Sequence, residues 1–138
     1  MMIKSHAYAL FAYLLRKYSY KGDEEMARKN TDNLKRMELV FSYIDAHYSE
    51  EISTETLANL MYVSVSYFCR FFKKVTGTTS AAYISELRIK KSFLLLENTD
   101  LSMAEIAEKV GFDDPNYFSR VFRTVTGITP SEYRKGIK

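Results

Sequence analysis

The sequence has few of the residue types that support covalent cross-links, metal clusters or tight turns. Its 138 residues include one Cys, no Trp, two Pro and five Gly. A single Cys cannot form a disulfide within the chain or a multi-cysteine zinc or iron–sulfur site, which favours a reducing compartment. The scarcity of Gly and Pro favours helices over a many-stranded sandwich. The sequence therefore indicates one small, mainly helical domain with or without an appendage.

Long hydrophobic runs are also missing. The longest apolar run covers residues 7–15, whereas a membrane-spanning helix needs about 20 residues. Lys4 precedes this run, but no small-residue cleavage site follows it, so we expect a helix and not a signal peptide. These features predict a cytoplasmic protein with no membrane partner.

Sequence signatures of enzymes are absent as well. The chain has no Gly-rich phosphate loop, no paired His on a helix and no nucleophile–His–acid set. His47 and Glu51 have the i, i+4 spacing of metal ligands and Asp45 lies nearby, but Glu51 is expected beyond the end of the helix. We therefore predict no enzyme, no metal site and no cofactor.

The net charge of +3 is small but unevenly distributed. Residues 1–61 contain eight Lys or Arg and nine Asp or Glu, a net charge of −1, whereas residues 62–138 contain twelve and eight, a net charge of +4. Positive charge indicates nucleic-acid binding only where it gathers on one face. The C-terminal part is therefore the place to look for such a face.

An internal repeat occupies this basic part. Residues 62–83 read YVSVSYFCRFFKKVTGTTSAAY, and residues 112–133 read FDDPNYFSRVFRTVTGITPSEY. At an offset of 50 the identical pairs include Tyr67/Tyr117 and Arg70/Arg120, and upstream the offset becomes 49. The change of one residue falls between two helical segments, where insertions are tolerated.

Each copy predicts a short helix, a tight turn and a longer helix. Side chains that cap helix starts and glycines that end helices stand at the expected places. In the first copy these are Ser53, Ser64 and Gly77; in the second they are Ser102 with Glu105, Gly111, Asp114 with Pro115, and Gly127. This order is that of a helix-turn-helix, whose second helix enters the DNA major groove.

The remaining segments also predict helices. We expect one over residues 33–48, with Asp32 as its cap, a long one over residues 80–96, and a short one opened by the capping box Thr129–Glu132. The predicted fold is all-α, with two helix-turn-helix subdomains (about 52–77 and 101–127) joined by a long linker helix, and with an extra N-terminal helix. Residues 1–31 are predicted to form an N-terminal helix and linker, and residues 32–138 a DNA-binding domain.

Both second helices have an acid-free polar face opposite their apolar face. Arg can bind a guanine edge through two hydrogen bonds, Asn can pair with adenine, Ser is a short adaptable donor, and Cys can touch a thymine methyl. The predicted base contacts are Ser66, Cys69, Arg70, Asn116, Ser119 and Arg120. The predicted phosphate contacts are Lys73, Lys74, Tyr67, Tyr117 and Arg123. We expect one chain to read two successive major-groove segments of double-stranded DNA, about 34 Å apart.

The pattern resembles the DNA-binding domain of the AraC/XylS family of bacterial transcription regulators over residues 34–135. Its most specific part is the second copy, from Ile106-Ala107 through Tyr117-Phe118-Ser119-Arg120 to Thr129-Pro130-Ser131-Glu132-Tyr133-Arg134. The resemblance implies seven helices, promoter binding and, commonly, activation through RNA polymerase. By position it implies the same six base-reading residues. The sequence departs from the family at Tyr62, where Gly is frequent, and at Ser92, where Ala is usual.

The first 30 residues lie outside the resemblance. An apolar stripe runs from Ala7 to Tyr18, and the charged stretch 21–30 follows. An isolated apolar stripe needs a partner surface, so residues 1–20 are a predicted dimerisation segment. Two interpretations remain open: the end of an effector-binding and dimerisation domain in a longer regulator, or an extra helix of a stand-alone regulator. The alternative function is a helical protein-interaction module that uses this stripe.

Overall fold

The computed structural model describes the backbone of residues 24–137 and the side chains of residues 32–136. All regular structure in this part of the chain is helical, which confirms the predicted all-α fold. The helices are α1 (Glu24–His47), α2 (Thr54–Leu60), α3 (Val65–Thr76), α4 (Ser80–Asn98), α5 (Met103–Val110), α6 (Pro115–Thr126) and α7 (Pro130–Ile137). The predicted helix within residues 1–20 lies outside the described residues.

The start of α1 differs from the prediction. The helix begins at Glu24, so Asp32 lies inside it and does not cap it. Residues 24–31 read EEMARKNT, which is rich in good helix formers and contains neither Gly nor Pro, so the helix continues through this charged stretch. The cap prediction at Asp32 was therefore wrong. The assignment of residues 1–31 as a segment separate from the DNA-binding domain stays a prediction.

The first of two compact units contains α1 to Ala46, α2, α3 and the chain to Ser80. Its core is built on the aromatic face of α3, where Phe68 and Phe72 are fully buried. The Phe72 ring lies 5.5 Å from that of Phe68 and 6.0 Å from that of Phe41 on α1. Four apolar residues of α1 are also buried here: Met37, Val40, Phe41 and Ile44.

The second unit contains residues 47–51 and the chain from Ala81 onwards. Its core holds the fully buried rings of Phe118 and Phe122 on α6. The other buried members come from α4, α5 and the turn after α5: Ile89, Leu96, Ile106, Ala107, Val110 and Phe112. Ser92, on the same side of α4, is also fully buried, and its hydroxyl donates to the Ile89 carbonyl. The Ser that replaces the usual Ala therefore leaves no unpaired group in the core.

The predicted caps of the second helix-turn-helix are present. The Ser102 Oγ accepts the Glu105 amide at 3.1 Å and a Glu105 carboxylate oxygen accepts the Ser102 amide at 3.2 Å, which completes the capping box. Asp114 caps α6 through the Asn116 amide at 2.9 Å. These bonds satisfy donors that a helix start would otherwise leave unpaired, and so they fix where each helix begins.

Candidate nucleic-acid interface

Helix α3 divides cleanly into a buried and an exposed face. Phe68, Phe71, Phe72 and Val75 are buried, which fixes the rotation of the helix about its axis. The opposite face carries three positive side chains and no acid. Its exposed residues are Ser66, Cys69, Arg70, Lys73 and Lys74. All of the non-tyrosine contacts predicted for α3 therefore lie on one accessible surface.

Helix α6 repeats this division in the second unit. Phe118 and Phe122 are fully buried, and the exposed face again carries no acid within the helix. Of the predicted contacts, Asn116, Tyr117, Arg120 and Arg123 are exposed and Ser119 is partly exposed. Val125 is 37% exposed, whereas its repeat partner Val75 is only 2% exposed. The apolar stripe of α6 is therefore narrower than that of α3.

The two repeat-related tyrosines have different surroundings. The Tyr67 hydroxyl accepts a hydrogen bond of 2.9 Å from the Asn33 side-chain amide, and the Tyr67 ring stacks on Phe71 at 5.7 Å. Tyr117 is 48% exposed, and its ring meets Phe112 edge-on at 5.9 Å. Tyr67 is thus held within its own unit, while Tyr117 stands at the surface.

The turn before α3 and the turn before α6 use the same backbone hydrogen bonds. In the first turn the Tyr62 amide donates to the Asn59 carbonyl and the Val63 amide to the Ala58 carbonyl; in the second, Gly111 and Phe112 make the corresponding bonds to Glu108 and Ala107. Tyr62 and Gly111 both adopt a positive φ, of 58° and 103°. The residue inserted in the second copy is Asp113, between this turn and the Asp114 cap.

The side chain of Tyr62 at the first turn meets no crowding because it points into solvent. Tyr62 is 83% exposed, and its ring lies 5.7 Å from the Arg36 guanidinium. Its φ of 58° falls in the left-handed region that non-glycine residues can enter at a cost. At Gly111, by contrast, a Cβ atom would lie 2.8 Å from the Arg88 Nε and 3.0 Å from the Ser49 backbone. Only the second turn therefore needs a glycine for space as well as for conformation.

Two residues outside the predicted site brace these turns and helices. Asn33, 3% exposed, holds the Tyr67 hydroxyl. Arg88 on α4 donates to the Tyr48 carbonyl at 2.6 Å and to the Glu50 carbonyl at 2.8 Å. Burial lowers the pKa of Arg88 below its ordinary value, and the negative charge of Asp113 opposes that shift. The sequence carried no signal for Asn33, because its partner is 34 residues away.

Repeated threonines end both recognition helices in the same way. The Thr76 hydroxyl lies 2.8 Å from the Phe72 carbonyl and accepts the Thr78 amide at 3.3 Å. Thr126 makes the matching bonds to Phe122 and Ile128 at the same distances. These bonds pair groups that a helix end exposes. The identity of Thr76 and Thr126 at an offset of 50 was the sequence signal for these repeated bonds.

Within residues 32–136, no three His, Cys, Asp or Glu side chains come together as a metal site. In the same part of the chain, no helix has the length and apolar character to cross a bilayer.

The two units thus define a double helix-turn-helix protein with a basic, acid-free recognition helix in each unit. The family model described as "Helix-turn-helix domain" matches residues 57–136. Among relatives, the transcriptional activator RhaS of Enterobacter sp. (strain 638) is 36% identical over 105 residues, which cover 76% of this chain and 38% of RhaS. The chain spans between a third and two fifths of the length of the first three curated relatives it matches.

Solved structures give the same result. A Chromobacterium violaceum transcriptional regulator described as containing an AraC-type DNA-binding domain is 31% identical, with a TM-score of 0.69, over 75% of this chain and 92% of that one. The DNA-binding domain of the transcriptional factor AdpA, solved with a target DNA, is 31% identical, with a TM-score of 0.66, over 73% of this chain and 90% of that one. The chain belongs to the AraC family of transcription regulators and contains the DNA-binding domain of that family.

Proposed function

We propose that this chain binds double-stranded DNA in a sequence-specific manner and regulates transcription. The observation that carries the proposal is the matched pair of recognition helices, α3 and α6, each with a buried aromatic face and an exposed acid-free basic face. A helix of this kind fits the major groove, where its base-facing side chains read sequence. The DNA-binding domain of AdpA, which is similar in fold, is in complex with a target DNA, and this supports DNA binding by this chain.

We propose that three residues of each recognition helix contact bases. Arg70 and Arg120, at the same repeat position, present planar guanidinium groups that suit the guanine edge, and each contributes about 1–3 kcal/mol of discrimination. Asn116, in the first turn of α6, suits adenine. The three smaller groups complete the set: Ser66, Cys69 and Ser119.

Phosphate contacts position the helices in the grooves without reading sequence. We assign this role to Lys73, Lys74 and Arg123 and to the hydroxyls of Tyr67 and Tyr117. The Tyr67 oxygen accepts a bond from the protein, which leaves its own proton available for a phosphate oxygen. Each cation that neutralises a phosphate steepens the dependence of affinity on salt.

The test selects bound duplexes from a random library with the whole 138-residue chain and then measures affinity by fluorescence anisotropy at several salt concentrations. We expect an asymmetric site with two blocks about 10 base pairs apart and a steep loss of affinity with salt. Undetectable or salt-independent binding would refute the proposal and favour the protein-interaction alternative.

Variants distinguish the residues that contact bases from those that contact phosphates. Arg70→Lys keeps the charge but removes the fork of donors, so it should relax the first block and leave the salt dependence nearly unchanged. Lys74→Ala should weaken all sequences alike and reduce the salt slope by about 1. Lys35→Ala removes the same charge from an exposed position on α1 and serves as the matched control. If Lys35→Ala and Lys74→Ala weaken binding equally, the charge of α3 is not a specific contact.

We extend the proposal to the regulator as a whole. Relatives named as transcriptional activators support activation, and we propose RNA polymerase as the partner. We propose that the protein acts in the cytoplasm, has no enzymatic activity and dimerises through residues 1–20. A transcription assay on the selected site, with and without residues 1–20, tests activation and the contribution of that segment together. Repression, or activation that is independent of the segment, would contradict the corresponding part.

A further inference from the structure

The Arg120 guanidinium lies against an aromatic ring of its own helix. The guanidinium carbon is 5.7 Å from the centroid of the Tyr117 ring, within the range of a cation–π contact. Residues three apart on a helix are neighbours on its surface, and side chains lean towards the helix start, so Arg120 leans onto Tyr117. Both residues are exposed.

The ring of Tyr117 is itself held in place from the core. It also meets Phe112 edge-on, with ring centroids 5.9 Å apart and an interplanar angle of 64°. Phe112 is 4% exposed and packs on the fully buried Phe118 at 5.4 Å. A continuous series of ring contacts thus runs from the core of the second unit to the guanidinium of Arg120. Such support restricts the rotamers of a long side chain, whose freedom is otherwise lost on binding.

We propose that the Tyr117 ring positions Arg120 for base reading, a role separate from any phosphate contact of the Tyr117 hydroxyl. The inference rests on the proposed function, because Arg120 must read a base for its position to matter. The ring acts through Arg120 and is a positioning group for the second block of the DNA site.

The repeat offers an internal comparison. Tyr67 has the same sequence relation to Arg70, but its ring stacks on Phe71 at an interplanar angle of 13° and its hydroxyl is bound to Asn33. That arrangement ties Tyr67 to its own unit. We therefore expect a ring-dependent effect on reading in the second block and not in the first.

The experiment measures discrimination at each block of the selected site, as the affinity ratio for the selected base over its replacement, for three proteins. The wild type defines both ratios. Tyr117→Phe keeps the ring and removes the hydroxyl, so the second-block ratio should be retained even if overall affinity falls. Tyr117→Leu removes the ring, so the second-block ratio should fall about two- to fivefold, the factor expected from an exposed cation–π contact. The first-block ratio should stay unchanged in both variants.

The outcomes separate the two proposals. No discrimination by the wild type at either block refutes the proposed function itself. Wild-type discrimination that persists in Tyr117→Leu refutes the positioning role alone. Equal losses in the Phe and Leu variants assign Tyr117 to phosphate contact through its hydroxyl and also refute it. A lower melting temperature together with a lower first-block ratio identifies a Leu variant that is merely unstable. In that case Tyr117→Met, a second variant without the ring, gives the decisive second-block ratio.

Discussion

Gly111 should be the least replaceable of the three glycines that end helices in the described part of the chain. Its φ of 103° lies further from the left-handed well of ordinary residues, near 57°, than the φ of Gly77 (82°) or Gly127 (88°). A Cβ atom at Gly111 would meet the Arg88 Nε at 2.8 Å and the Ser49 backbone at 3.0 Å, whereas at the other two glycines it would meet nothing within 4 Å. An alanine at Gly77 or Gly127 would therefore meet backbone strain alone, whereas an alanine at Gly111 would meet both strain and crowding.

The expected magnitudes follow from these two terms. Gly77→Ala and Gly127→Ala should each lower the free energy of unfolding by about 1–2 kcal/mol, the cost of a left-handed conformation with a Cβ atom. Gly111→Ala adds an overpacking cost of about 1–3 kcal/mol, because the Ser49 backbone cannot move aside as the end of a flexible side chain could. Its total should be about 2–5 kcal/mol.

Urea unfolding followed by circular dichroism measures all three variants against the wild type. Tyr62→Gly provides the converse control, because this open position already tolerates a side chain; we expect a change within about 1 kcal/mol. Because Gly111 sets the entry into α6, Gly111→Ala should also weaken reading of the second DNA block more than the first. Equal costs for the three alanine variants would refute the role assigned to crowding.

Three further perturbations test other parts of the structure. Tyr67→Phe leaves the Asn33 side-chain amide without its acceptor, so the free energy of unfolding measured in urea should fall by about 1–3 kcal/mol. An unchanged free energy would mean that solvent replaces the Tyr67 hydroxyl. Arg134→Lys removes a fork that donates to three backbone carbonyls, and its melting temperature should fall clearly below that of the wild type; an unchanged value would contradict a bracing role. The hydrogen bonds from Ser102 lower the pKa of Glu105 from 4.5. Because the pKa of the folded state is the lower one, this carboxylate stabilises the protein above pH 4.5, and that contribution is lost as the pH falls through the folded pKa. The stability difference between the wild type and Glu105→Gln should therefore shrink from pH 7 to pH 3, and a constant difference would contradict it.

Local signals in the sequence predicted most of the helix boundaries. The predicted helix ends at Ser64, Asp114 and Gly127 are confirmed. These predictions succeed because capping depends on the residue and its next few neighbours. Asp32 failed because the same side chain can stand inside a helix when the residues before it are helix formers. A cap signal alone thus marks a possible start, and the preceding residues decide whether it is used.

The exposed faces of α3 and α6 were also predictable, because a buried aromatic stripe of period 3.6 fixes which residues face outward. The contacts that brace these surfaces were not predictable. Asn33 meets Tyr67 across 34 positions, and Arg88 meets Tyr48 across 40. Contacts at such separations depend on how helices pack, which no short pattern in one sequence specifies.

The repeat shows how far an identical residue implies an identical role. Thr76 and Thr126 make the same bonds in both copies because all their partners lie within four residues of them. Tyr67 and Tyr117 differ because Asn33, which binds one of them, comes from α1, an element outside the repeat. A role that depends on local partners therefore carries over between copies, and one that depends on distant partners does not. Helices α3 and α6 can thus share one motif and still differ in the contacts that their tyrosines make.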